Sequence, residues 1–462
     1  MPNLDPILQS VLKKIVPSAE EKQNMQSVID KVTKTAKEII KPHNLGYVLA
    51  GSFTRDTWLS HKKEFDLFIL FPENVERERL EKLGLEVGRK ITAQLKGKHV
   101  IAYAEHPYTR AKIEGYDVDI VPCYNVKSAE QIKSAVDRTP FHNKYIEKKM
   151  SSGLSDDVRL LKQLTKAHGL YGSDLKTQGF SGYLCELLII KNCSFANLIT
   201  DAAKWVPGQV FIDLEGKYKG SRSEFKGQPV IVIDPVDPKR NVAAALSPEK
   251  LVKFIEVANA LYCRPSENMF FKKQAKTSIQ SFKSVRQRGT KLLFIKFKRP
   301  GIVDDILYPQ LRKTSKRLAD ILREYEFAVM GEASWADEKE CGILIELEVW
   351  SLPNIRKVIG PPVFVPKHGE EFTKKYKSGR LFVEDDRWIA EVSRKFKQAD
   401  AKLKDSLSEP ASILKAKGIA TYIADILPKG FTILEGNKIF SLLKKEGFGE
   451  FLLDYFEKNI KL

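Results

Sequence analysis

Three short strings constrain this chain more than anything else in it: Gly51-Ser52, Glu64-Phe65-Asp66 and Asp117-Val118-Asp119. On a β-strand alternate residues share a face, so Glu64 and Asp66 point together while Phe65 and Leu67 point to a core behind them. Two carboxylates held side by side repel each other unless a cation lies between them, which predicts a divalent metal site. Asp119, from a neighbouring strand, completes a two-metal cluster able to activate a hydroxyl and stabilise a leaving pyrophosphate in an in-line displacement. Asp117 shares the strand face with Asp119 and rivals it for that place. Gly51 lets the backbone approach phosphate oxygens, and Ser52 adds a hydroxyl donor. Residues 53–59 read as the opening of a helix whose N–H groups attract anions, with Arg55 one turn in, reaching a triphosphate or bracing the loop. Singly, Gly-Ser is an ordinary turn and Glu-x-Asp a solvated strand face. In this order, with strands on both sides of a short helix, they read as a site.

The surrounding pattern supplies those strands. Residues 7–40 carry apolar positions at helical spacing, and 47–50, Glu64–Phe71 and 116–121 read as strands, with a connecting helix over 77–95. The first 140 or so residues therefore read as an α/β unit. From 141 to about 261 the pattern is mainly helical, broken by a Gly/Pro-containing stretch over 207–235. Strands over 291–297 and 342–349 flank a helix near 311–325, which suggests a small third α/β domain; the mixed remainder ends in helices rich in Lys and Glu.

Composition narrows the class. At 462 residues the chain is too long for one ordinary core. Its 77 Lys+Arg against 59 Asp+Glu give a formal +18, which favours a polyanionic partner, nucleic acid or an acidic membrane surface. Five scattered cysteines without a CxxC pair argue against a zinc knuckle and a disulfide framework and fit a reducing compartment. The N-terminus lacks the basic-then-apolar pattern of a signal peptide, and no apolar run approaches a membrane span (the run 183–190 contains Glu186). A soluble, cytoplasmic protein is expected.

The string GSFTRDTWLSHKKEFDLFILFP resembles the signature of polymerase-β-like nucleotidyltransferases, with its GS, its [DE]-x-D pair and a later third Asp. AEHPYTRAKIEGYDVDIVPCY, DRTPFHNKY, GFSGYLCELLI, DPVDPKRNVAAAL, KRPGIVDDILYPQLRKT and GPPV are more closely similar to the archaeal-type (class I) CCA-adding enzymes, the tRNA nucleotidyltransferases. The similarity runs from about residue 50 to beyond 360 and is looser over the last hundred residues. It implies an α+β multidomain fold: a polymerase-β-like nucleotidyltransferase head over 1–140, a helical neck over 141–268, a small α/β RNA-binding body over 269–360 and a mixed C-terminal tail over 361–462.

It also implies template-independent addition and repair of the tRNA 3′-terminal CCA from CTP and ATP. By this resemblance Glu64, Asp66 and Asp119 carry two Mg2+ ions, with Asp119 nearest the primer 3′-hydroxyl, and Gly51, Ser52 and Arg55 meet the triphosphate. Thr139 and His142 resemble positions around the nucleotide's sugar and phosphates, and Lys162 and Tyr171 resemble further nucleotide-site positions. Arg240 resembles the arginine that selects C or A against G and U, a task suited to its several donors. Structural readings stand beside these: Thr139 as a helix N-cap before Pro140, Lys162 as a solvent-facing lysine, Asn241 and 242–246 as a cap and packed helix, and His106 capping a loop or lining the cleft.

The partner implied is the upper half of tRNA, recognised by shape, phosphates and 2′-hydroxyls, with the basic stretches 272–299 and 312–317 supplying charge. A homodimer through the C-terminal region is implied as well. The same carboxylate logic serves a poly(A) polymerase, a synthetase of short oligoadenylates, or a catalytically inactive RNA-binding protein that kept the fold.

Overall fold

The structure, a computed structural model, describes residues 4–103, 105–150, 153–271 and 287–456. The basic stretch 272–299 lies partly outside these residues. The chain divides into two units, Met1–Lys273 and Gln274–Asn459.

In the first unit, helix α1 (Asp5–Ile15) precedes α2 (Ala19–Ile40), which Ser18 starts with a capping box: its hydroxyl accepts from the Glu21 amide and the Glu21 carboxylate accepts from the Ser18 amide. Met25, Val28, Ile29, Val32, Ala36 and Ile40 form the buried stripe of α2. Strands β1 (Gly46–Ala50) and β2 (Glu64–Phe71), helix α3 (Arg77–Gln94), and strands β3 (Lys98–Tyr103), β4 (Pro107–Ile113) and β5 (Tyr116–Tyr124) follow. They make a five-stranded sheet in the order β1-β2-β5-β4-β3, with β2 and β5 parallel and the other neighbours antiparallel. Phe65, Leu67, Ile69 and Phe71 alternate into the core shared with α2 and α3, joined there by Val118 and Ile120 of β5. The opposite face therefore carries Glu64, Asp66, Asp117 and Asp119. Strands β3 and β4 were absent from the sequence reading.

Helices α4 (Thr139–Lys149), α5 (Leu154–Ala167), α6 (Gly182–Asn192), α7 (Phe195–Ala202) and α8 (Pro248–Cys263) build a second core, interrupted by the two-residue strands β6 (Phe211–Ile212) and β7 (Ile231–Val232) in the stretch that reads as Gly/Pro-rich. Helix α1 belongs to this core: Leu8, Val11 and Ile15 pack with Leu161, Leu164 and Phe270, so the first helix lies with the helical region although it precedes the sheet in sequence.

In the second unit, β8 (Lys291–Lys298), α9 (Asp304–Glu324), β9 (Val329–Ala336), β10 (Glu340–Leu347), β11 (Ile355–Pro362), α10 (Pro366–Lys375), β12 (Arg380–Glu384), β13 (Arg387–Ser393), α11 (Ala399–Leu407), α12 (Ala411–Ala416), α13 (Thr421–Ile426), β14 (Phe431–Glu435), α14 (Asn437–Phe440) and α15 (Phe448–Phe456) form a four-stranded sheet, β14-β8-β10-β9, and a three-stranded one, β11-β13-β12. Leu293, Ile295 and Phe297 face α9 and α11–α13, whereas Leu292 and Phe294 face α15. The last helix among the described residues, FGEFLLDYF, is aromatic-rich, and the Lys/Glu-containing end of the chain, 457–462, lies outside them. Strand β14 returns from the tail to pair with β8.

Among the described residues no helix is long and apolar enough to cross a membrane. All five cysteines are free.

Candidate active site

The strand register decides the geometry. Glu64 lies opposite Asp117 and Asp66 opposite Asp119 across the parallel β2–β5 pair, while Ala50 of β1 lies opposite Asp66 and Arg110 of β4 opposite Asp119. Immediately after Ala50 the chain turns at Gly51 with φ +100°, and a Cβ there would stand 3.0 Å from Asp66 Oδ2. The glycine is needed twice, for its left-handed backbone and for the close approach. Gly51, Ser52, Glu64, Asp66, Asp117 and Asp119, with Phe65 and Arg110, line a cleft of about 430 Å3.

Its electrostatics are uneven. Burial, together with Asp119 and Glu64, pushes the Asp66 carboxyl up to about 7 against the opposing pull of Arg55 and Arg110. Asp119 accepts two hydrogen bonds from Arg110, at 2.8 and 2.7 Å, and Glu64 pairs with Lys62 at 2.9 Å. Asp117 is more exposed than Asp119 and stands 3.7 Å from Lys112.

Residues 53–59 form turns and coil, not a helix, so no helix N-terminus stands behind Gly51-Ser52. Helices α4, α5 and α6 clamp this turn instead. Arg55 donates to Glu186 Oε1 at 3.0 Å and to Asn143, and Thr57 donates to the same Glu186 oxygen at 2.7 Å. Lys162 is buried rather than solvent-facing: its ammonium donates to the Thr57 carbonyl and hydroxyl and lies 3.6 Å from Glu186. Burial lowers the Lys162 ammonium from its ordinary value, opposed by Glu186. Burial would raise Glu186, but Arg55, Lys162 and the Thr57 hydroxyl outweigh it and keep it low. The Tyr171 hydroxyl lies against Gly182 beside Lys162, and burial raises it.

A third cluster gathers around Asp234, whose side chain is fully buried. Its Oδ2 accepts from His142 at 2.9 Å and from Arg240 at 2.8 Å, and its Oδ1 accepts from Tyr183 at 3.2 Å and the Val236 amide at 3.0 Å. Burial would raise this carboxyl, but the bond and charge of His142, the Val236 amide and Arg240 hold it down at about 2. The His142 and Tyr183 rings stack with centroids 4.0 Å apart. Thr139 is the first residue of α4 rather than its N-cap, because a 3-10 turn over Ala135–Arg138 runs directly into the helix. Asn241 does cap backbone amides, those of Val232 and Ala243, but 242–246 is a turn, not a helix, with Val242, Ala243 and Leu246 buried. His106 is buried, 3.4 Å from the Ser134 hydroxyl.

Three family models match consecutive parts of the chain: a nucleotidyltransferase domain over 29–142, a tRNA nucleotidyltransferase second domain over 156–271 and a CCA-adding enzyme C-terminal domain over 288–436. The CCA-adding enzyme of Methanoregula boonei is 39% identical over 451 residues, 96% of this chain and 94% of that protein. The CCA-adding enzyme of Archaeoglobus fulgidus is 35% identical over 95% of this chain and 96% of its own length, and that of Methanocaldococcus jannaschii 39% over 85% and 88%. The chain belongs to the CCA-adding enzyme family. A solved Cid1 poly(U) polymerase with Mg and 3′-dATP is similar at 14% identity and a TM-score of 0.47, covering 59% of this chain and 99% of that one. That likeness adds nothing to the family assignment.

For a CCA-adding enzyme the donor set suits a hard divalent cation in kind: three carboxylates on adjacent parallel strands, one of them, Asp66, raised by burial and by the charge of the other two. Among the described residues no group of three such side chains is arranged to hold an ion, and Asp119 and Glu64 are paired with Arg110 and Lys62. Those cations occupy the charge balance that a metal would take over.

Sequence reasoning missed Arg110, Asn143, Tyr183, Glu186 and Asp234. Arg110 was within reach of it: the Glu114-Gly115 turn pairs Ile113 with Tyr116, and three residues outward on each strand Arg110 meets Asp119. Asp234 stood in a quoted string but had no local signal, since its donors come from three separate elements.

Proposed function

We propose that this chain completes and repairs the 3′-terminal CCA of tRNA, adding C, C and A from CTP and ATP without a nucleic-acid template and releasing pyrophosphate. The observation that carries the reading is the register placing Asp66 beside Asp119 one residue from the Gly51 turn, in a chain whose relatives are named CCA-adding enzymes over nearly its whole length. Gly51 and Ser52 hold the triphosphate by backbone approach and hydroxyl. Arg55, neutralised in part by Glu186, braces that turn and adds positive potential to it. Thr139 and His142 stand around the sugar and phosphates, Lys162 and Tyr171 belong to the nucleotide site behind them, and Arg240 reads the base. Glu64, Asp66 and Asp119 would hold two magnesium ions, whose chemistry when bound would be to polarise the attacking hydroxyl and offset charge on the leaving pyrophosphate. Asp119 stands nearest the primer 3′-hydroxyl.

The tRNA upper half is the partner, held by basic surface including 312–317; a homodimer through the C-terminal region and a cytoplasmic setting belong to the same proposal. Of the division into a head over 1–140, neck over 141–268, body over 269–360 and tail over 361–462, the first two boundaries are supported by family models ending at 142 and 271 and by the division of the chain near residue 273, whereas one model over 288–436 and the pairing of β14 with β8 both run across the body–tail boundary.

The test is extension of a labelled tRNA ending before CCA, with each triphosphate singly and in mixture. Two Cs, one A and arrest support the reading; a long A tail, or no extension despite tight tRNA binding, sinks it. Asp119→Ala is expected to lower addition by roughly a thousandfold or more, about 4 kcal/mol of transition-state stabilisation, while tRNA affinity in a filter assay stays within a fewfold of wild type. Equal loss of binding would make Asp119 a structural acid.

A further inference from the structure

We propose that Asp234 is the positioning residue for nucleotide selection: it pins one arm of Arg240 and the ring of His142 so that the free part of each meets the incoming nucleotide. The inference rests on the reading of Arg240 and His142 given above.

The geometry favours positioning over simple stabilisation. The Asp234 carboxylate is fully buried yet collects donors from α4 (His142), α6 (Tyr183) and its own loop (Val236 and Arg240). A buried charge pair is at best a modest source of stability, because desolvation offsets much of the attraction. Four converging hydrogen bonds, by contrast, fix direction well. The loop is itself tied down: the Asp234 amide donates to the Arg240 carbonyl at 3.0 Å, the Arg240 amide to the Asp237 carbonyl at 2.9 Å, and Asn241 accepts from the Val232 amide at 2.8 Å.

Arg240 alone among the side chains bonded to that carboxylate stays substantially open, at 39% side-chain exposure, and among the described residues only its Nη1 is engaged, by Asp234. A guanidinium with one nitrogen anchored to a buried carboxylate presents its remaining donors along one direction, whereas an unanchored one sweeps many. Discrimination between bases that differ in acceptor placement depends on that direction. His142 is held in the same way, from below by Asp234 at 2.9 Å and across its face by Tyr183. One carboxylate thus fixes both the group that reads the base and the group beside the sugar.

Asp234→Asn keeps the shape and removes the charge. The measurement is single-nucleotide kcat/KM for CTP and ATP against UTP and GTP on tRNA ending before CCA, for wild type, Asp234→Asn, Arg240→Ala and the double variant. Asp234→Asn is expected to lower the correct-to-incorrect ratio roughly tenfold, the worth of one charge-assisted hydrogen bond, while kcat for CTP falls by a smaller factor. In the double variant the ratio should equal that of Arg240→Ala alone, since the side chain that reads the base is gone and His142, which Asp234 still holds in Arg240→Ala, meets a sugar common to all four nucleotides. Wild-type selectivity in Asp234→Asn, or losses that multiply in full in the double variant, would overturn the proposal. If Asp234→Asn does not fold, Arg240→Lys carries the test: its single head group is spent on the carboxylate, so it should misincorporate as Arg240→Ala does, and wild-type selectivity there overturns the idea. A wild-type protein that adds some other series would sink the proposed function, yet the coupling of Asp234 to Arg240 is still read on whichever nucleotide it prefers.

Discussion

Single atoms set the tolerances of this site. A methyl group at Gly51 would meet Asp66 Oδ2 at 3.0 Å on a backbone of φ +100°. Gly51→Ala is therefore expected to cost about 1–2 kcal/mol of strain and to cut CTP addition far more than that stability loss explains, as urea melts compared with primer extension will register. Asp234 makes a pH prediction. Its folded carboxyl is held at about 2, below the ordinary 3.8, so its stabilisation is complete above the ordinary value and disappears as pH falls through about 2. Asp234→Asn should flatten the acid limb of stability between those values by about 2 kcal/mol, measured by urea unfolding at stepped pH; an unchanged limb would mean the carboxylate is not so held. The carboxylates Glu64, Asp66, Asp117 and Asp119 were legible in sequence because a two-residue repeat on a strand fixes their face. Asp234 was not, because its bonding depends on donors from α4, α6 and a loop that only tertiary folding assembles.

Elements carry the site by how closely they pack. Helix α3 lies so near the sheet that a Cβ at Gly84 would stand 2.6 Å from Pro122 of β5, and one at Gly88 would stand 2.2 Å from the Thr109 hydroxyl of β4. An interior Gly→Ala change favours a helix by about 1 kcal/mol, but forcing a methyl into a filled core costs about 1–3 kcal/mol. With two heavy atoms of Thr109 within 2.5 Å of the new carbon, packing wins, and Gly88→Ala is expected to lower the midpoint of urea unfolding; a raised midpoint would show that α3 can lift off without penalty. Helical spacing revealed α2 and α3, and apolar runs revealed β2, β5, β8 and β10. Strands β3, β4 and β9 escaped notice because KHVIAY, PYTRAKI and VMGEASWA mix polar and small residues, and their pairing comes from neighbours rather than from their own pattern. The expected helix after Gly51-Ser52 failed for a related reason: tertiary bonds from Arg55, Thr57 and Trp58 to the neck hold an irregular turn that local propensity alone would not.

Across the whole molecule the dominant sign is positive, +18 over 462 residues. Binding of a polyanion should release counterions, so log affinity for tRNA is expected to fall with log salt at a slope of about −3 or steeper, as four or more phosphate contacts require. Asp119→Ala should leave that slope unchanged, since a cleft carboxylate contacts no phosphate of the RNA body; nitrocellulose binding from low to moderate salt would decide, and a flat slope would remove RNA as the reason for the charge. The two units differ in how their sheets close. In the first, all five strands of the large sheet lie between residues 46 and 124, so that sheet is complete early in the chain. In the second, β8 is buried on both faces and keeps one edge for β14, which is more than a hundred residues later. During vectorial synthesis the ribosome thus releases LLFIKF long before its partner strand exists. Until residue 435 has cleared the exit tunnel, that nascent segment offers an unpaired, two-sided apolar edge of the kind that recruits other chains. Among the described residues, the strand made last is the one that closes this early edge.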